Sequence, residues 1–97
     1  MPVFVVFLKF AANRAAAKTL MAGHNDWIAQ GFAEGVFQCV GSLLPQAGGA
    51  ILAQGESRAA LEARLSADPF VARGVVTPEI HEIAVNRTTP ALDFLKG

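Results

Sequence analysis

The chain has 97 residues, 53% of them hydrophobic and 16% charged, with a mass of 10.2 kDa and a mean hydropathy of +0.39. Two domains would each be too small to bury a core, and a disordered chain needs low hydrophobicity with high charge, so one folded domain is expected. Eight Lys and Arg balance eight Asp and Glu, and with no basic run there is no field to gather phosphates, so nucleic acid is not an expected partner. Cys39 is the single cysteine and no CxxC or HxxxH pair occurs, which points to a cytoplasmic protein without a metal or other cofactor. The apolar run from Val3 to Leu8 has no cationic segment before it and meets Lys9 at once. It does not read as a signal peptide, and no stretch approaches the roughly 18 apolar residues of a membrane span.

Val3 to Leu8 is β-branched and aromatic and predicts a strand. It is apolar on both sides, the pattern of a central strand in a covered sheet. Asn13 is a candidate N-cap for a helix over 14–32, whose Ala17, Leu20, Met21, His24, Trp27, Ile28 and Phe32 form one apolar stripe. Gly31 and Gly35 bracket its end. Strands over 36–43 and 49–54 are joined by the turn Pro45-Gln46-Ala47-Gly48 and predict a hairpin.

Ser57 caps a second helix with Ala60, Leu61, Ala63 and Leu65 on its apolar side and Glu56, Arg58, Glu62 and Arg64 towards water. Asp68-Pro69-Phe70 places an N-cap before a proline at N1, so a short helical turn begins there and Gly74 closes it. Val75 to Val85 is the last strand, and the tail over 86–97 adds a terminal turn through Leu92, Phe94 and Leu95.

The order β-α-β-β-α-β is that of a ferredoxin-like α+β fold, an antiparallel sheet with both helices on one face. Two helices cover one side of the sheet, yet the first strand is apolar on both. A homodimer or a higher oligomer, with the open sheet faces packed together, answers that excess; a monomer whose tail covers the face is the alternative.

The chain has two histidines. His24 falls inside the apolar stripe and must point towards the sheet, where its ring nitrogens need partners. By position alone it reads first as a core histidine bonded to a carbonyl, and Asp68 as an ordinary N-cap. Both roles of Asp68 can coexist, because one oxygen can cap the helix while the other accepts the imidazole N–H. His24 would then keep its far nitrogen as a general acid or base, with Asp68 as orienter. That chemistry suits an elimination or isomerisation beside a carbonyl. Ser42 has no nucleophile elbow around it. Trp27 lies at helix spacing from His24, either in the core or as a platform for substrate. Cys39 reads as a small buried hydrophobe, and His81, among Glu79 and Glu82, as a surface or dimer-edge residue.

His24 on the first helix, Gly41-Ser42 at a strand end followed by a Pro and Gly loop, Gly49-Ala50-Ile51-Leu52, and above all Ala67-Asp68-Pro69-Phe70-Val71 with Gly74-Val75 resemble the YciI-like (YCII-related) family. The resemblance spans the first strand to about Val85 and implies a single YciI-like domain over 1–97, with its core at about 2–85. It implies a dimeric α+β barrel of ferredoxin-like subunits whose pocket holds a histidine and aspartate pair, here His24 and Asp68. Ser42 and Phe70 fall where the family lines and closes its pocket, and Trp27 completes the expected substrate-binding set. The expected activity is that of a cofactor-independent lyase or isomerase acting on a small ring-derived molecule; the alternative is a non-catalytic small-molecule-binding or accessory module. Lys9 and Arg73 are the cations nearest the expected site, both read as solvated. With no arginine in the strand pattern to grip a carboxylate, a di-acid substrate is not expected.

Overall fold

The computed structural model describes residues 2–96. The elements are β1 (Val3–Phe10), α1 (Ala17–Ala33), β2 (Phe37–Leu43), β3 (Gly48–Gln54), α2 (Arg58–Ser66), α3 (Pro69–Ala72) and β4 (Val76–Ile83), with 3₁₀ turns at Arg14–Ala16 and Pro90–Lys96. The sheet order is β2-β3-β1-β4 and every neighbouring pair is antiparallel. This is the ferredoxin-like α+β arrangement, in which β1 and β2 run parallel with β3 inserted between them. β1 is central, as its two-sided apolar pattern requires.

Strand alternation then assigns the faces. Phe4, Val6 and Leu8 of β1, Ile51 and Ala53 of β3 and Phe37 of β2 are buried with Trp27, Leu61, Leu65 and Phe70 in one core. Val5 and Phe7 lie on the opposite face, beside Leu52 and Ala50 of β3 and His81 and Glu79 of β4. All except His81, which is exposed, are half-buried. Cys39 pairs with Leu52 on that face and is exposed. Its expected burial is corrected: a bulge between Phe37 and Cys39 breaks the alternation and turns it to the side that no helix covers. Leu95 of the tail is buried without belonging to the helix-side core.

Local signals explain the ends of the helices. α1 starts without help from Asn13, whose side chain makes no cap bond; its Nδ2 instead donates to the Arg73 carbonyl at 2.7 Å. At the other end Gly35 has φ +76°, while the Val36 and Gly35 N–H groups donate to the Gly31 and Phe32 carbonyls. That paired closure is the Schellman motif. Gly31 itself is inside the helix, where a Cβ would stand 2.1 Å from the Phe37 ring, so its absence lets α1 lie flat on β2. Arg64, expected in water, bonds Glu56 at 2.9 Å and Glu34 at 2.9 Å. Its hydrogen bond to Glu56 raises the guanidinium pKa further, and the same side chain lowers that of Glu34. The pairing ties the end of α1 to α2.

Candidate functional site

α3 is short but firmly held. Asp68 caps it by accepting from the Phe70 N–H at 3.0 Å, Pro69 occupies N1, and Gly74, at φ +73°, closes it with the Val75 and Gly74 N–H groups donating to Phe70 and Val71. α1 comes close to α3 at Gly23, where a Cβ would lie 3.3 Å from Pro69 Cγ. The next residue, His24, places Nδ1 2.7 Å from Asp68 Oδ1. Asp68 is fully buried and the imidazole is 12% exposed.

The two roles of Asp68 coexist, but through one oxygen. Oδ1 accepts from both His24 and Phe70, while Oδ2 is buried with no partner. The expectation of one oxygen for each role is corrected, because the turn into α3 sets the Phe70 N–H and the imidazole on the same side of the carboxylate. An ionised Asp68 accepts only, so His24 Nδ1 is the donor and the neutral ring carries its proton there. Nε2 has no hydrogen-bond partner among the described residues, and His24 rather than Asp68 lines the adjoining cavity.

That cavity, of about 390 Å³, lies between α1 and the sheet and is within the size range of small-molecule pockets. Its walls include Leu8 and Phe10 of β1, Ile28 of α1, and Val40 and Ile51 of the hairpin. His24, Ser42 and Asn25 supply the polar side chains. Ser42 and Phe70 are therefore brought to the cavity with His24. The Phe70 ring stacks on the imidazole at 3.8 Å between centroids and 2° between planes, which fixes the ring's tilt as Asp68 fixes its rotation. Gly41 and Gly49 also line the space, where their missing side chains leave room.

Trp27 sits differently. It is 8% exposed, packs edge-on against Phe37 at 5.1 Å and donates Nε1–H to the Arg64 carbonyl at 2.9 Å. It stands behind His24, 5.9 Å away in a stacked orientation, and is not part of the cavity wall. Lys9 is on the open sheet face paired with Glu79 at 2.9 Å, and that hydrogen bond lowers the Glu79 pKa. Arg73 is exposed and outside the cavity wall.

Two side chains near the cavity had no separate signal in the sequence. Asn25 follows His24 by one residue and reaches the wall only because the cavity wraps the edge of α1. Arg14 stacks over the Phe10 ring at 3.9 Å and donates Nη2–H to the Gln46 carbonyl at 3.3 Å. It depends on the end of β1 and the β2–β3 turn meeting, which spacing along the chain does not reveal. No helix among the described residues is long and apolar enough to cross a membrane.

The sequence model of the YCII-related domain matches residues 3–83. No curated protein matches the chain. Among solved structures, the chain is similar to 5-chloro-2-hydroxyhydroquinone dehydrochlorinase (TftG) from Burkholderia phenoliruptrix AC1100, determined in complex with 2,5-dihydroxybenzoquinone. The two share 16% sequence identity at a TM-score of 0.70, over 81% of this chain and 90% of that one. The likeness is one of fold.

Proposed function

The chain belongs to the YCII-related domain family, and from that premise we propose that it is an enzyme of lyase or isomerase type acting on a small ring-derived molecule. The observation that carries this reading is His24, held at Nδ1 by a buried carboxylate at 2.7 Å and lining a cavity with its other nitrogen free. In an elimination, Nε2 takes a proton beside a carbonyl and that C–H electron pair becomes the new double bond. The leaving group departs with its own electrons. In an isomerisation the same nitrogen returns the proton elsewhere. Asp68 stabilises the imidazolium formed in either case and holds the productive tautomer. Ser42 offers a hydroxyl to a ring oxygen, and Phe70 closes the wall beside the base. The dehydrochlorinase named above acts on a ring of this size, which supports the substrate class.

NMR tests this reading directly. The ¹⁵N shifts of His24 are expected to report the Nδ1–H tautomer, and 2,5-dihydroxybenzoquinone, as a first ring-sized probe, to move the signals of His24 and Ser42 but not His81. In Asp68→Asn the tautomer is expected to redistribute, since an amide presents both a donor and an acceptor. An unchanged tautomer in that variant would remove Asp68 as orienter, and a probe that leaves the His24 signals still would count against the cavity as the binding site.

The working form in this reading is a homodimer joined through the open sheet face. Val5, Phe7 and Leu52 support it: they are apolar, half-buried, and on the side the helices leave uncovered. Light scattering is expected to give twice the 10.2 kDa of one chain, and Leu52→Lys to give a monomer. A monomeric native protein, or a dimer unaffected by Leu52→Lys, overturns this assembly.

A further inference from the structure

Arg14 is not itself a wall residue of the cavity but stands against one. Its guanidinium lies over the face of Phe10, 3.9 Å from the ring centroid, and Phe10 is a wall residue. On the other side Nη2 donates to the Gln46 carbonyl, in the turn that leads into the wall residues Gly48 and Gly49. Nε and Nη1 make no protein hydrogen bond among the described residues, and no carboxylate there forms an ion pair with Arg14. Lys9, Arg58, Arg64 and Lys96 each pair with an acid, whereas Lys18, Arg73 and Arg87, like Arg14, form no ion pair among the described residues. Arg14 is also the one cation among the described residues stacked on an aromatic ring. The cavity wall contains no Lys, Arg, Asp or Glu, so Arg14 supplies a fixed charge that the wall lacks.

We propose that Arg14 is a specificity-determining residue that selects ring substrates carrying an anionic oxygen, a phenolate or a carboxylate, and orients that oxygen towards the mouth. The assignment rests on the reading of the cavity as a small-molecule site. Phe10 and Gln46 hold the guanidinium plane while leaving its other N–H donors free, so the group meets an anion with little further ordering. An anionic oxygen beside Arg14 leaves the rest of the ring among apolar walls. The proton to be moved can then lie towards His24.

The test compares two matched pairs of probes by isothermal titration: 2,5-dihydroxybenzoquinone, a vinylogous acid that ionises at neutral pH, with its neutral dimethyl ether, and benzoate with benzamide. The native protein is expected to favour the anion of each pair, less so at high salt. Arg14→Gln is expected to weaken anion binding about 10-fold or more, the range of a lost hydrogen bond to a charged group, and to remove the salt dependence. Binding of the neutral probes should change by less than about 2-fold, within the scatter of ordinary surface substitutions. Arg14→Lys should restore part of the preference, since it keeps the charge and loses the fork. Equal weakening of both members of a pair, or no weakening, overturns the role of Arg14 while leaving the cavity reading intact. If the native protein binds none of the four, the cavity reading fails and the proposal fails with it.

Discussion

Replacing His24 with asparagine is expected to lower turnover about 10²- to 10⁴-fold, the usual contribution of a positioned general acid or base, while ligand affinity and fold are kept. Asparagine is the informative replacement because Asp68 is fully buried and already leaves Oδ2 without a partner. Its amide can still donate to Oδ1. Alanine would leave the carboxylate with the Phe70 N–H alone and cost about 1–3 kcal/mol of stability, confusing a lost fold with a lost base. Steady-state rates on a compound that the native protein converts, set beside calorimetric affinity for the same compound, separate the possibilities. Lost turnover with retained affinity marks proton transfer by His24. Retained turnover removes His24 from the chemistry, and a native protein that binds ring compounds without converting any would be a binding module.

A second large effect is expected at Gly48, the first residue of β3. Its φ is +120°, and a Cβ there would stand 1.9 Å from the Leu8 carbonyl oxygen, a backbone atom of the central strand. Leu8 cannot withdraw without disturbing its pairing with Gly49 and Pro78, so Gly48→Ala is expected to cost more than about 4 kcal/mol, the diagnostic range for a single substitution. Gly55 provides the comparison. It also has a positive φ, +88°, but nothing lies within 4 Å of its would-be Cβ, so Gly55→Ala carries only backbone strain of about 1–2 kcal/mol. Chemical denaturation of both variants measures the difference. Equal losses would mean that the close approach to Leu8 contributes nothing.

The strands, helices and their order were legible because their signals are local. Val3 to Leu8 is apolar on both sides and is the central strand. Ser57 caps α2 through the Ala60 N–H at 3.1 Å, and Asp68-Pro69 opens α3, both as short-range chemistry dictates. Asn13 is the counter-example: a good capping residue by type, it is drawn instead to the Arg73 carbonyl, 60 positions away. Cys39 is turned outward by a bulge between Phe37 and Cys39, onto a face that no helix covers. Burial there depends on which layers exist and not on the residue's own hydrophobicity.

The site divides along the same line. Local signals along the chain specify a βαββαβ order, with one histidine on the inner stripe of its first helix and an aspartate at a helix start, because periodicity and capping act over a few residues. The packing of the layers sets Asp68 to serve the Phe70 N–H and His24 through the same oxygen, with Phe70 stacked on the imidazole and Trp27 behind it. It also brings Arg14 against Phe10 of the cavity wall. These outcomes depend on the approach of α1 to α3 at Gly23 and of β1 to the β2–β3 turn. Side-chain reach of a few ångströms is set by how the layers pack, and no pattern along a single element records it.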